Sequence, residues 1–540
     1  MRKLVPLIAL AALALFTGSS SAALTTTPMK LDPTFGTGGR TVTDFAGPVH
    51  EDEPFTIIEL PDGKYVLPGK AYNAATGNYD FIVLRYNQNG SLDTTFDADG
   101  KATVDIMGGY DEALAVAHDH STGKLVVAGW GRNPANGIED MAVARLNANG
   151  SIDSTFGAGG VAVVDFAGGN DRAYGVAVLS TGTIVAGGFA TSASGDNDFA
   201  LIGLNPDGSL NPSFGTAGKV TTDFGGAMDA MTRMIIQSDE KIVGVGVTAN
   251  PSTSSQDFAF ARYNPDGSID APFASGGKGT IDFFGTTDFA LTVFQQPDAR
   301  LLVGGIVLNP FTSHHDFGLA RLNVNGSLDL NFATYGQAGL VTTDFFGNYD
   351  QILALAVQPD GKIIAAGHAK HPQRSFEFAL ARYNPDGTMD NTFGIGGRLT
   401  TDWFGGPDGI HGIVLDSKGR AVVGGDGLNP ATDGDDFIIA RYLVADPSWM
   451  AAVALKLAVS AFGPGNARAA VLFSIYYAQA DISNGNLAGA IDKLKVLRDH
   501  LAGCGATAGP DDWIIDCAAQ VNMRTLTNQV IYKLGGSASP

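Results

Sequence analysis

The sequence predicts a mainly β chain: a seven-bladed β-propeller of four-stranded antiparallel blades, followed by a small α-helical bundle. Three observations carry this. A motif of the form D-F-x-L-A-R-Y-N-P-D-G-S-L-D-x-T-F-G returns seven times, its anchor phenylalanine falling at Phe35, Phe96, Phe156, Phe214, Phe273, Phe332 and Phe393. The period is about 60 residues, the signature of a stacked or circular array rather than of separate domains. A second element, V-V-A-G, keeps the same register, with its glycine at Gly69, Gly129, Gly188, Gly246, Gly305, Gly367 and Gly425. Past Leu443 the glycine turns fade and helical spacing takes over, as at Leu487, Ile491, Leu494 and Leu497.

Each unit holds four strand-like segments. In the fourth these are residues 219–224, 231–237, 241–246 and 257–263. The last alternates Phe258, Phe260 and Arg262 with Ala259, Ala261 and Tyr263, the period of a strand. Turns such as Pro359-Asp360-Gly361-Lys362 close the middle hairpin: proline presets one torsion and glycine accepts a positive φ. A four-stranded blade has two apolar faces and cannot bury both alone, so the blades must stack around an axis. The first strand of each unit is expected nearest that axis.

These signatures (D-F-A-L-A-R-Y-N-P-D-G, T-F-G and Q-P-D-G-K-I-V-V-A-G) resemble the delta-60 repeats of secreted bacterial proteins. The resemblance covers about three quarters of the chain and implies a propeller-like fold. It transfers no catalytic residue. The stretch Gly485 to Leu494 resembles the helical FIMAH modules that end some secreted bacterial proteins. The expected organisation is a signal peptide over 1–22, a propeller over 23–445 and a helical domain over 446–540.

Arg2 and Lys3, the apolar run 4–16 and the small residues Ser20-Ser21-Ala22 read as an export signal. A secreted or periplasmic location follows, with Cys504 and Cys517 meeting an oxidising compartment and pairing. No stretch is long and apolar enough for a transmembrane helix. With 34 basic against 55 acidic residues the net charge is −21, which disfavours nucleic acid and anionic lipid. A glycan, peptide or surface protein remains as partner, and a monomer is expected.

The strongest polar recurrence is a pair of aspartates, six residues apart in six units, as at Asp105 and Asp111, and eight apart in the first, at Asp44 and Asp52. The first members are Asp44, Asp105, Asp165, Asp223, Asp282, Asp344 and Asp402. At the end of an axial strand they would ring one channel mouth and offer hard oxygen ligands to calcium. Alternatively, each caps its own turn. Function is otherwise sought where the copies differ, in the segments that carry Asn133, Asn309, His314, His315, His368 and His371. No nucleophile elbow, metalloprotease motif or phosphate-binding loop appears. The expectation is an exported binding or scaffold protein. The alternative is a metal-assisted hydrolase or lyase at the axis.

Overall fold

The computed structural model describes residues 30–443, except 46, 48–49, 226–227, 251–254, 334–337 and 418, together with 492–495. The expected signal peptide, the cysteine pair and nearly all of the expected helical domain lie outside these residues. Residues 492–495 form a helical turn. No helix among the described residues is long and apolar enough to cross a membrane.

Seven sheets form the propeller. Blade 2 shows the plan: Asp111–His118 is innermost, Leu125–Arg132 second, Glu139–Leu146 third and Val161–Val164 outermost. The inner strands of successive blades touch one another around the ring. The blade boundary therefore falls one strand away from the sequence repeat. Each repeat contributes the outermost strand of one blade and the three inner strands of the next. The expectation that the strand before each aspartate pair lies nearest the axis is corrected: that short strand is the outer edge. It pairs with the third strand alone, four residues in register, as Met141↔Val164 to Ala144↔Val161.

This offset closes the ring. Blade 7 takes Asp408–Leu415, Ala421–Asn429 and Gly434–Leu443 from the end of the array, and its outer strand Arg40–Thr43 from the beginning. The pairing runs from Arg40↔Ala440 to Thr43↔Phe437.

Each repeated residue type has a packing cause. A Cβ on Gly129 would run into the Glu112 carbonyl oxygen and sit 3.0 Å from Phe81 Cζ of blade 1. Gly425 meets the same two obstacles, the Gly409 carbonyl and Phe378. Only glycine lets the second strand pass between its own inner strand and the preceding blade. The anchor phenylalanine is a platform for arginine. Arg85 lies 4.5 Å over Phe96, and its Nε donates to Asp93 at 2.7 Å. Its Nη1 donates to the Ala148 carbonyl of the following repeat. The arginine thus pairs with the aspartate eight residues on, and only its backbone contact crosses to the next repeat. In blade 3, Gly203 replaces the arginine because the Phe214 ring fills that space.

Candidate functional site

The inner strands build the axis. In blades 2 to 7 each carries a β-bulge three residues after its leading aspartate, at Leu114, Tyr174, Thr232, Leu291, Leu353 and His411. A bulge leaves the extra residue unpaired and re-aims its neighbours. Here it turns residues toward a cavity of about 190 Å³ on the axis, which all seven inner strands line. The residue after the bulge is small or short in five blades, Ala115, Gly175, Thr292, Ala354 and Gly412, and Thr56 takes the same place in blade 1. In blade 4 it is Arg233.

Three residues back along the same strands, ~10 Å away, lies the mouth of the channel. Each position there pairs an inner-strand residue with one on the second strand. The pairs run Glu53↔Lys70, Glu112↔Trp130, Arg172↔Phe189, Ala230↔Val247, Phe289↔Ile306, Gln351↔His368 and Gly409↔Asp426. The ring is lopsided. Blades 4 and 5 are apolar, and the arc from blade 6 through 7, 1 and 2 to 3 is polar or charged.

That arc is knitted together. Lys70 Nζ bridges Glu53 at 3.1 Å and Glu112 at 3.2 Å. Burial opposes charge on Lys70, but the two glutamates outweigh it and raise its pKa. The Tyr110 hydroxyl donates to Glu112 at 2.7 Å and the Trp130 indole N–H donates to it at 3.2 Å. Arg172 lies 4.4 Å over Trp130 and shares Glu139 with Arg132, each at 2.6 Å. Across the mouth, His411 Nε2 meets Asp426 Oδ1 at 2.6 Å. Burial alone would depress the His411 pKa. Asp426, with Glu53 behind it, reverses this and raises it, against repulsion from Arg233. His368 has no such acid: burial and the neighbouring His411 push it down to about 3. Gly409 makes room for both imidazoles, since a Cβ there would lie 3.3 Å from His368 Nδ1 and 3.4 Å from His411 Nε2.

The recurrent aspartates are elsewhere. Asp44, Asp105, Asp165, Asp223, Asp282, Asp344 and Asp402 follow outer strands, so they do not ring the axis. Each caps its turn, as when Asp105 Oδ1 accepts the Gly108 N–H at 2.6 Å. The second aspartate of each pair opens an inner strand and is buried; Asp111 Oδ2 accepts the Ile106 N–H at 2.7 Å. A third acid from the preceding blade completes a triad. Asp80, Asp105 and Asp111 bring carboxylate oxygens within 4.8 Å of one another, as do Asp140, Asp165 and Asp171, and Asp316, Asp344 and Asp350. Burial, opposed by the turn N–H and reinforced by the two neighbouring acids, pushes Asp111 up to about 7 and Asp350 to about 8. Oδ1 of Asp80 and of Asp111 is buried without a hydrogen-bond partner. At the boundary of blades 6 and 7 an arginine supplies the missing positive charge: Arg374 Nη1 lies 3.1 Å from Glu377 and 2.7 Å from Asp402.

Of the loop residues singled out in sequence, most build their own turns. Asn133 Oδ1 accepts the Ala135 N–H at 3.0 Å, Asn309 Oδ1 accepts the Phe311 N–H at 3.0 Å, and His371 Nδ1 accepts the Gln373 N–H at 3.2 Å. His314 and His315 begin a third strand, and His315 packs 5.0 Å from Tyr349. His368 is not in a loop; it is on the second strand of blade 6 and reaches the mouth. The remaining mouth residues were not singled out. Their signal was present: the copies disagree in charge one residue after the second aspartate, as at Glu53, Glu112 and Arg172, and one residue after the recurrent strand glycine, as at Lys70 and Asp426.

Six stretches, 60–96, 120–156, 179–214, 237–273, 296–332 and 358–393, match the family profile described as "Domain of unknown function (DUF5122) beta-propeller". The chain is a DUF5122 β-propeller. No curated protein matches the sequence. Among solved structures, one similar chain is a catalytically inactive virginiamycin B lyase from Staphylococcus aureus with quinupristin. It is 11% identical, with a TM-score of 0.42, over 74% of this chain and 99% of that one. An ulvan lyase is 10% identical, with a TM-score of 0.41, over 75% and 96%. The β-propeller domain of the trilobed protease from Pyrococcus furiosus is 10% identical, with a TM-score of 0.33, over 72% and 89%. Likeness at this level carries nothing about ligand or activity for the DUF5122 chain.

Proposed function

We propose that this propeller is an exported binding module that takes its ligand at the axial mouth. One observation carries the reading: the mouth breaks the sevenfold symmetry that the rest of the frame keeps, with acids, bases and aromatic rings gathered on one arc. A hydroxyl-rich glycan suits that arc best. Fixed carboxylates and Lys70 exchange hydrogen bonds with hydroxyls, and Tyr110, Tyr174 and Phe189 offer ring surface. The variable turns between second and third strands lie on the same face, and blade 5 raises Phe311, 87% exposed, among them.

The test is a screen of the full chain on glycan and peptide arrays, followed by titration of the strongest ligand. Tyr110→Ala and Arg172→Ala should each weaken binding at least tenfold. Ile395→Ser, on the opposite face, should leave it unchanged. A ligand bound equally well by all three variants places the site elsewhere, and no specific binding on either array removes the reading. Export is checked by cell fractionation.

An enzymatic reading rests on the His411–Asp426 pair, which is arranged to move a proton beside the axial cavity. A cation held by the carboxylate triads would sit between blades and not at that pair, so the chemistry would be acid–base. Incubation of any bound glycan with wild type and His411→Ala, followed by chromatography of the products, decides it. An intact glycan with wild-type protein ends this reading.

A further inference from the structure

The guanidinium of Arg233 stands alone on the axis. Among the described residues it makes no hydrogen bond or ion pair, although its position is half-buried. The walls around it carry Thr56, Thr292 and the His411 imidazole, and Tyr174, whose hydroxyl is engaged by Arg172; no carboxylate lines the cavity. The acid of the His411 pair, Asp426, is already engaged by the imidazole. Six sister strands place nothing longer than threonine at the same point, so the fold does not need a long cation there. Burial lowers the Arg233 pKa to about 10, which leaves it charged at neutral pH. A cation kept half out of water without a counter-charge is costly unless something anionic visits it.

We propose that the cavity below the mouth is an oxyanion subsite: it receives a carboxylate or sulfate group of the ligand, with the Arg233 fork as its principal contact. This rests on the axial binding reading and adds the ligand's charge to it. A guanidinium donates paired N–H bonds to a planar carboxylate or to two oxygens of a sulfate. The hydroxyls of Thr56 and Thr292 and an N–H of His411 suit the remaining lone pairs. A cavity of about 190 Å³ admits such a group but not a whole sugar chain, which would remain at the mouth. The protein's net charge of −21 repels anions at long range, so selectivity must come from this one contact.

The experiment uses the full chain at constant ionic strength in chloride, with sodium sulfate, sodium glucuronate and glucose as probes, followed by thermal melting and calorimetry. Sulfate, glucuronate or both should raise the wild-type melting temperature saturably, and glucose should not. Which anion acts tells sulfate from carboxylate recognition. Arg233→Gln should abolish the shift and melt no lower than wild type in chloride alone. Arg233→Lys should keep a weakened response. No shift in wild type, or an equal shift in Arg233→Gln, overturns the proposal. Should Arg233→Gln not fold, the wild-type response and its weakening in Arg233→Lys decide alone. Neutral-glycan binding that still depends on Tyr110 and Arg172 while both anions are inert removes the oxyanion subsite and leaves the mouth reading intact. Anion binding that depends on Arg233 while Tyr110→Ala and Arg172→Ala change nothing does the reverse.

Discussion

Arg441 and Asp32, 409 positions apart in the chain, form a buried ion pair with Nε 2.8 Å from Oδ2. In five of the other six blades the equivalent arginine pairs with an aspartate eight residues downstream, as Arg321 does with Asp329 at 2.8 Å; blade 3, with Gly203, lacks it. At the end of the array no such residue follows, and the first aspartate of the chain takes its place. The pair rests on Phe35, with Arg441 4.5 Å from the ring centroid, and its Nη1 donates to the Gln88 carbonyl at 2.6 Å. One interaction, repeated within five blades, thus also locks the ring once per molecule.

Removing half of that lock leaves a buried guanidinium uncompensated. Asp32→Asn should therefore destabilise the protein by about 3–5 kcal/mol. Denaturant unfolding monitored by tryptophan fluorescence measures it. Asp153→Asn, the equivalent change within blade 2, should cost a similar amount; a loss for Asp32→Asn below that of an exposed control such as Asp239→Asn would show that the closure is not held here.

Gly129→Ala should cost about 1–3 kcal/mol by overpacking. The added methyl meets the Glu112 carbonyl and Phe81, which belong to different blades and have no room to separate. Gly137→Ala, in a surface turn where a Cβ meets nothing within 4 Å, is the comparison. Its φ of +75° still carries strain, so the contrast reads packing above that baseline. Equal melting temperatures for the two variants would refute the close-approach argument.

Stability in metal-free buffer should fall as pH rises from about 5 to 8. Burial, against the capping N–H of each turn and with the neighbouring acids, raises Asp111, Asp288 and Asp408 to about 7, Asp171 to about 6 and Asp350 to about 8. A carboxyl whose folded pKa lies above its unfolded value binds its proton more tightly when folded. It costs nothing below pH 4 and its full penalty above the folded pKa. Asp153 works in the opposite sense. Burial raises it, but Lys124, Thr155 and Arg145 outweigh that and hold it well below the usual range, so its contribution is lost only in strong acid. Melting temperature against pH, for wild type and for Asp350→Asn, tests this; the variant should have the shallower alkaline limb. Calcium added at pH 8 is the test of the cation expected for the aspartate turns. A rise in melting temperature reversed by chelator supports it, and an unchanged value removes it.

The strands, the blade count and the turn residues were legible because each repeats its physical reason in register: alternation for a strand, glycine for a positive φ, small residues for close approach. The aspartate turns were legible as turns, and Asp105 and its counterparts do cap them. Their place in the ring was not legible, because a sequence period marks a repeating unit without saying at which strand the sheet begins. Pairing partners settle that, and the Arg40–Thr43 strand shows the answer.

What the sequence determined by itself is the propeller: period and pattern dictate local conformation, and seven copies with apolar faces have to close on one another. What only the tertiary structure decided is which differences between copies meet. Glu53, Lys70, Glu112, Arg172, Arg233, His411 and Asp426 are scattered over 374 positions of the chain. Inner strands pack side by side around an axis, and that packing turns a few offsets, each repeated about every 60 residues, into rings of neighbours.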